Sequence, residues 1–214
     1  MIKNVIFDLD GTLLDTSGGV IESVKYTMAK MNFKALSDQE VRYFIGPPLK
    51  TAFVSLCGCS ENEALTAVNV FRKYYQDGAV FNAKLYSGIE DLCRCLCDIG
   101  IRIGVATNKP ERFATLLIEK FELKQYIYSV CGADESGKLS KTDLIKLCME
   151  QMGGDLLDTI LVGDTENDAI GAKEVGVKFV AVTYGFGYRS VDDTSTYPCI
   201  GTIDSPKDLL KIIV

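Results

Sequence analysis

The sequence predicts an α/β protein with a Rossmann-like parallel sheet core, helices on both faces, and an inserted all-α segment of four helices. Three observations carry this. From residue 83 onward, strand-like and helix-like segments alternate, which implies right-handed crossovers and a parallel sheet covered on both sides. Residues 17 to 82 hold helix signals and hardly any strand signals. Two buried-type apolar runs, Val5-Ile6-Phe7 and Ile160-Leu161-Val162, lead directly into carboxylates. The expected division is therefore a core of residues 1–16 with 83–214, and a helical insertion of residues 17–82.

Taken in order, the first strand ends in Asp8-Leu9-Asp10, and Gly11-Thr12 turns the chain. Carboxylates at alternate positions of an extended chain point the same way and repel unless a cation lies between them. Gly18-Gly19 precede an amphipathic run with Val20, Ile21, Val24, Met28 and Met31 at helical spacing. Ser37-Asp38-Gln39-Glu40 and Ser60-Glu61-Asn62-Glu63 read as capping boxes, and Gly46-Pro47-Pro48 breaks the chain between them. Helix is expected over 89–99, strand over 101–107, and helix from Pro110 to about Lys120. A short strand at 127–131 and a helix at 142–152 follow. Strand at 159–162, helix at 166–175 and strand at 178–183 come next, with a last helix after Ser205-Pro206. In such a sheet, ligands bind beyond the carboxyl ends of the strands, where strand order reverses. Asp8 and Asp10, Thr107 and Asn108, and Asp164 with Asp168 all fall at such ends.

Composition narrows the chemistry. The chain has 214 residues, 47% of them hydrophobic, enough for a real core. A net charge of -6 argues against a nucleic-acid polymer or an acidic membrane as partner, and no apolar run reaches the roughly 20 residues of a membrane span. With no signal-like stretch before Asp8, a soluble cytoplasmic protein, monomer or homodimer, is expected. The sequence contains no histidine. That removes Ser-His-Asp and Cys-His nucleophiles, His-based zinc hydrolases and phosphohistidine chemistry. None of the eight cysteines has Arg six residues later, as a thiolate phosphatase needs, and their CxC spacings favour free thiols over zinc. Carboxylates remain as the carriers of covalent or acid-base chemistry.

Asp8, Asp10, Asp164 and Asp168 offer oxygen ligands with no histidine or cysteine beside them, a donor set for a hard cation such as Mg²⁺. Asp168 also reads as an ordinary acid at a helix start. Thr107 can donate its hydroxyl to a phosphoryl oxygen. A phosphoryl group among carboxylates needs a cation, and Lys138 and Lys141 both lie in the right segment. Gly132-Ala133-Asp134-Glu135-Ser136-Gly137-Lys138 has the spacing of a phosphate-binding P-loop, but Leu139 stands where a metal-binding hydroxyl is required, and two acids lie inside the loop.

DLDGTLLDT at 8–16, the strand-end Thr107, a lysine near 141 and GDTENDAIGA at 163–172 resemble the four motifs of the haloacid dehalogenase superfamily, in order and across essentially the whole chain. The helical insertion is similar to that superfamily's four-helix cap, and Phe44-Ile45-Gly46-Pro47-Pro48-Leu49 resembles the phosphoglycolate phosphatase-like and 5'-nucleotidase-like branch. The resemblance implies that Asp8 is a nucleophile forming an aspartyl-phosphate, and that Asp10 is the acid and base. Thr107 and Lys141 (or Lys138) would bind phosphoryl oxygens, with Asn108 beside them. Asp8, Asp10 through its carbonyl, Asp164 and Asp168 would hold Mg²⁺. The cap would close over the substrate, with hinges near 14–17 and 81–86 and with Gly46, Arg42 and Lys50 as contacts, Arg72 and Lys73 being further cations. Asp10 points away from the dehalogenases, which lack it, toward phosphoryl transfer, and phosphomonoester hydrolysis of a small phosphorylated metabolite is the leading expectation. A phosphomutase resembling β-phosphoglucomutase, a pyrophosphatase and an inactive binding protein are the alternatives. Thr142 stands where the family often has proline after its lysine.

Overall fold

The computed structural model describes residues 1–45, 48–134 and 138–213. The chain divides into two compact units, one formed by Met1–Asp15 with Leu85–Val214 and the other by Thr16–Lys84.

The first unit opens with β1 (Asn4–Phe7), whose four residues are all buried, and the chain leaves it through β2 (Leu14–Asp15). The second unit contains α1 (Ser17–Lys30), α2 (Asp38–Arg42), α3 (Leu49–Cys57) and α4 (Glu61–Gln76), then a 3₁₀ turn at Ala79–Phe81. Both expected capping boxes are formed. Ser37 and Ser60 accept from the N–H of Glu40 and Glu63, whose carboxylates accept in return from the serine N–H groups. This unit has its own core of Val24, Met28, Val41, Phe53, Ala67 and Phe71, with Phe44 edge-on to Phe53 at 4.9 Å between centroids.

The chain returns through β3 (Lys84–Leu85) and continues as α5 (Ile89–Asp98), β4 (Arg102–Pro110), α6 (Glu111–Lys120), β5 (Ile127–Ala133) and α7 (Lys141–Gln151). Next come β6 (Thr159–Gly163), α8 (Glu166–Val175), β7 (Lys178–Val182), β8 (Gly201–Ile203) and α9 (Leu210–Ile213). Six strands form one parallel sheet in the order β5-β4-β1-β6-β7-β8. The chain builds outward from β1 to β5, then jumps back to lay β6 on the other side of β1. Strand order therefore reverses beside β1, and a site is expected at the carboxyl ends of β1 and β6.

Side-chain alternation sorts the two faces. Ile6, Ala106, Leu161, Phe179 and Ala181 pack with Leu144, Ile145 and Cys148 of α7 and Ala169 and Ala172 of α8. The residues of opposite parity, Val5, Phe7, Val105, Ile160 and Val180, are buried as well, so both faces are covered.

Three details differ from the sequence reading. The strand β8 was not expected, because three residues after a proline-containing loop give no readable alternation. The segment after Ser205 is a 3₁₀ turn, Pro206–Leu209, before the short α9, and not one helix. Pro110 ends β4 and lies just outside α6, its missing N–H costing nothing there.

Candidate active site

At the end of β1 the backbone stays in the sheet for one more residue, the Asp8 N–H donating to the Val162 carbonyl at 2.9 Å. The chain then turns. Gly11 has φ of +88°, a conformation open to glycine, and a Cβ there would lie 2.3 Å from an Asp164 carboxylate oxygen. The first motif and the end of β6 are thus packed backbone to carboxylate.

Asp164 follows β6 directly and is fully buried. Its Oδ2 accepts from the N–H groups of Phe186 (2.7 Å) and Gly187 (3.1 Å), and the Thr12 hydroxyl lies 3.4 Å from Oδ1. Burial and the nearby Asp168 nevertheless push its pKa up to about 6, against those N–H groups and Lys141, which pull it down. Asp168 uses its two oxygens differently. One oxygen closes a capping box with Thr165 (2.6 Å from the hydroxyl, 3.0 Å from the N–H), and the other faces Lys141.

Lys141 is the first residue of α7 and is buried. Its ammonium donates to Asp8 Oδ1 at 2.5 Å, to Asp168 Oδ1 at 2.7 Å and to the Ala106 carbonyl at 2.7 Å. Burial opposes its charge, but Asp168 and Asp8 outweigh burial and raise its pKa, so it is an ammonium at any ordinary pH. Asp8 is raised well above the usual carboxylate range, first by burial and then by Asp168, Asp164 and Asp10, with only Lys141 opposing. Lys138 is exposed, its N–H held by Asp134 Oδ1 at 3.0 Å. Of the two candidate lysines, only Lys141 contacts the acids. Asp134 also accepts from the Leu139 N–H (3.2 Å), so this loop supplies its own anion where a P-loop would need a phosphate.

Asp8, Asp164 and Asp168 each offer an oxygen within 4.8 Å of the others, all three being buried. Three carboxylates facing a single ammonium leave excess negative charge in a desolvated place. All-oxygen donors and that imbalance fit a divalent hard cation. The Asp10 carboxylate is not one of these three. Beyond Phe7 the strand has ended, so Asp8 and Asp10 no longer alternate in an extended chain, and Asp10 Oδ1 pairs with Lys109 at 2.9 Å.

Thr107 is buried, and its Oγ1 accepts from the Lys109 N–H at 3.1 Å. Asn108 is exposed. In the helical unit, Arg42 is exposed and Lys50 pairs with Glu61; Gly46 lies outside the described residues. Sequence reasoning missed Lys109, Thr12 and the Phe186-Gly187 N–H pair. A lysine two residues past the strand-end threonine was a readable signal for the first; nothing in the sequence marks the backbone donors.

A cluster of buried acids and one lysine thus stands at the strand ends where strand order reverses in the parallel sheet. Residues 5–182 match the haloacid dehalogenase-like hydrolase family, and the chain belongs to it. It is 31% identical over 185 residues to a 5'-nucleotidase of Pseudomonas aeruginosa, covering 86% of this chain and 84% of the relative. It is 29% identical to phosphoglycolate phosphatase 1 of the same organism, covering 96% and 78%. A crystal structure described as a predicted phosphatase from Clostridium acetobutylicum is 36% identical with a TM-score of 0.87, covering 100% of this chain and 98% of that one. No helix among the described residues is long and apolar enough to cross a membrane.

Proposed function

We propose that the protein is a Mg²⁺-dependent phosphomonoesterase that hydrolyses a small phosphorylated metabolite through an aspartyl-phosphate on Asp8. The observation that carries this is the Asp8 carboxylate, buried at the switch point and held by Lys141 beside Asp164 and Asp168. The 5'-nucleotidase and phosphoglycolate phosphatase relatives support a nucleoside monophosphate or phosphoglycolate as substrate.

In the first step an Asp8 oxygen bonds to phosphorus while the bond from phosphorus to the ester oxygen breaks, and Asp10 gives that oxygen its proton. In the second, a water attacks the same phosphorus, its proton passes to Asp10, and the bond between phosphorus and Asp8 breaks. Thr107 and Lys141 donate to the phosphoryl oxygens, whose negative charge would otherwise meet only carboxylates. Lys141 stands beside Asp8 with its three N–H groups on Asp8, Asp168 and the Ala106 carbonyl, so a phosphoryl oxygen would take the place of one of these acceptors. When bound, the cation among Asp8, Asp164 and Asp168 supplies the positive charge that the lysine alone does not.

Phosphate release is measured on phosphoglycolate, nucleoside monophosphates, sugar phosphates and pyrophosphate, with Mg²⁺ and after chelation. Release from a monoester that stops on chelation is expected. Undiminished release without metal removes the cation from the reading, and no release from any monoester removes the reading. Glucose 1-phosphate is included because isomerisation without release would replace hydrolysis by transfer.

A further inference from the structure

We infer that Lys109 is the positioning residue for Asp10, holding that carboxylate where the leaving oxygen of the substrate needs a proton. The inference rests on the hydrolase reading above and adds to it a residue outside the four motifs.

The placement starts in the sheet. Thr107 of β4 pairs with Gly132 of β5, but the next pair is Pro110 with Ala133, so β4 carries two extra residues, Asn108 and Lys109, where β5 carries none. Such a bulge re-aims the side chains it contains. Gly132 makes room for it: a Cβ there would lie 2.4 Å from the Glu111 Cα and 2.7 Å from the Lys109 carbonyl oxygen. The backbone of the bulge fixes Thr107, because the Lys109 N–H donates to Thr107 Oγ1 at 3.1 Å and leaves that hydroxyl's own hydrogen to be directed elsewhere. The side chain of the same residue reaches Asp10 Oδ1 at 2.9 Å.

A lysine tethered only to solvent-side charge keeps its long stem mobile. Lys109 does not: its side chain is 8% exposed, against 27% for the Asp10 side chain it meets. The more open partner is the carboxylate, so Asp10 is the end of the pair exposed to solvent while the cation that orients it is packed in. One residue thus sets both the phosphoryl donor, through its backbone, and the proton donor, through its ammonium.

A purely structural ion pair and a positioning role differ in how rate depends on the leaving group. Dinitrophenolate leaves without help, whereas an alkoxide needs its proton during bond breaking. The experiment measures kcat/KM, which reports formation of the phospho-enzyme, for wild type, Lys109→Met, Lys109→Arg and Asp10→Asn. The substrates are 2,4-dinitrophenyl, 4-nitrophenyl, phenyl and an alkyl phosphate, and melting temperatures are recorded alongside. For Lys109→Met the loss on the alkyl ester is about 10- to 100-fold, part of the ~10²–10⁴ a general acid provides, and the loss on the dinitrophenyl ester is under about threefold. Lys109→Arg restores most of the alkyl rate. Equal losses across the series in Lys109→Met, with the leaving-group dependence intact in Asp10→Asn, overturn the inference alone. A flat series in Asp10→Asn overturns the assignment of Asp10 as acid, and the role of Lys109 with it.

Discussion

Replacing Lys141 by Met separates what the lysine does for the fold from what it does for the reaction. Methionine keeps the stem's bulk and removes one ammonium, leaving Asp8, Asp168 and Asp164 facing one another with no cation in a site where Asp164 is fully buried. Breaking a buried pair by removing one partner costs about 3–5 kcal/mol, because the other charge stays behind unpaired. Here two carboxylates lose direct partners at 2.5 and 2.7 Å. In a chain of this size 1 kcal/mol moves the melting temperature by about 2–4 °C, so metal-free Lys141→Met melts on the order of 10 °C below wild type at pH 8. Protonating the acids relieves the repulsion. A carboxylate whose native pKa is raised contributes stability below its unfolded value and loses it as pH rises through the native one, so the deficit shrinks toward pH 5. Mg²⁺ at pH 8 narrows it too. Calorimetry at pH 5 and pH 8, with chelator and with Mg²⁺, is the assay. Equal melting of the two proteins at pH 8 in chelator would refute the claim that Lys141 neutralises this cluster.

Three further outcomes follow from the same geometry. Asp8→Asn abolishes phosphate release, while the metal-free protein melts at or above the wild-type temperature, since a buried anion raised by its neighbours has been removed; a large drop in melting temperature contradicts this. Thermal stabilisation by Mg²⁺ is full at pH 7.5 and fades below about pH 6, where Asp164 takes up its proton and no longer serves the cation; a shift independent of pH contradicts it. Discharging Asp164 as pH falls from 6 to 3.8 favours the metal-free fold by about 3 kcal/mol. Gly11→Ala, with its Cβ aimed at the Asp164 carboxylate and φ at +88°, loses the Mg²⁺-dependent shift and about 1–3 kcal/mol of stability, measured by denaturant titration.

The acids were legible because apolar strands ending in carboxylates are costly to explain otherwise, and the alternation after residue 83 was legible because parallel strands and their helices each carry a strong period. Lys109 was not. Its reach to Asp10 depends on two residues inserted into β4 relative to β5, a property of pairing that one strand's sequence does not contain. The two capping boxes with Glu at their third position were read, but Ser140 with Asp143 and Thr165 with Asp168 form the same device with a shorter acid and were not. At Asp168 a cap does not exclude a contact with the acid cluster's lysine, since one carboxylate oxygen binds Thr165 and the other faces Lys141.

The pair of Asp8 with Lys141 joins residues 133 positions apart, and Asp164 lies further along still. As the chain is synthesised, Asp8 is made well before the lysine that pairs with it. Until α7 and the residues after β6 exist, neither Lys141 nor Asp164 and Asp168 are there to face that carboxylate. A nascent or truncated chain that stops short of Asp168 therefore lacks part of the carboxylate cluster in which the proposed reaction would take place.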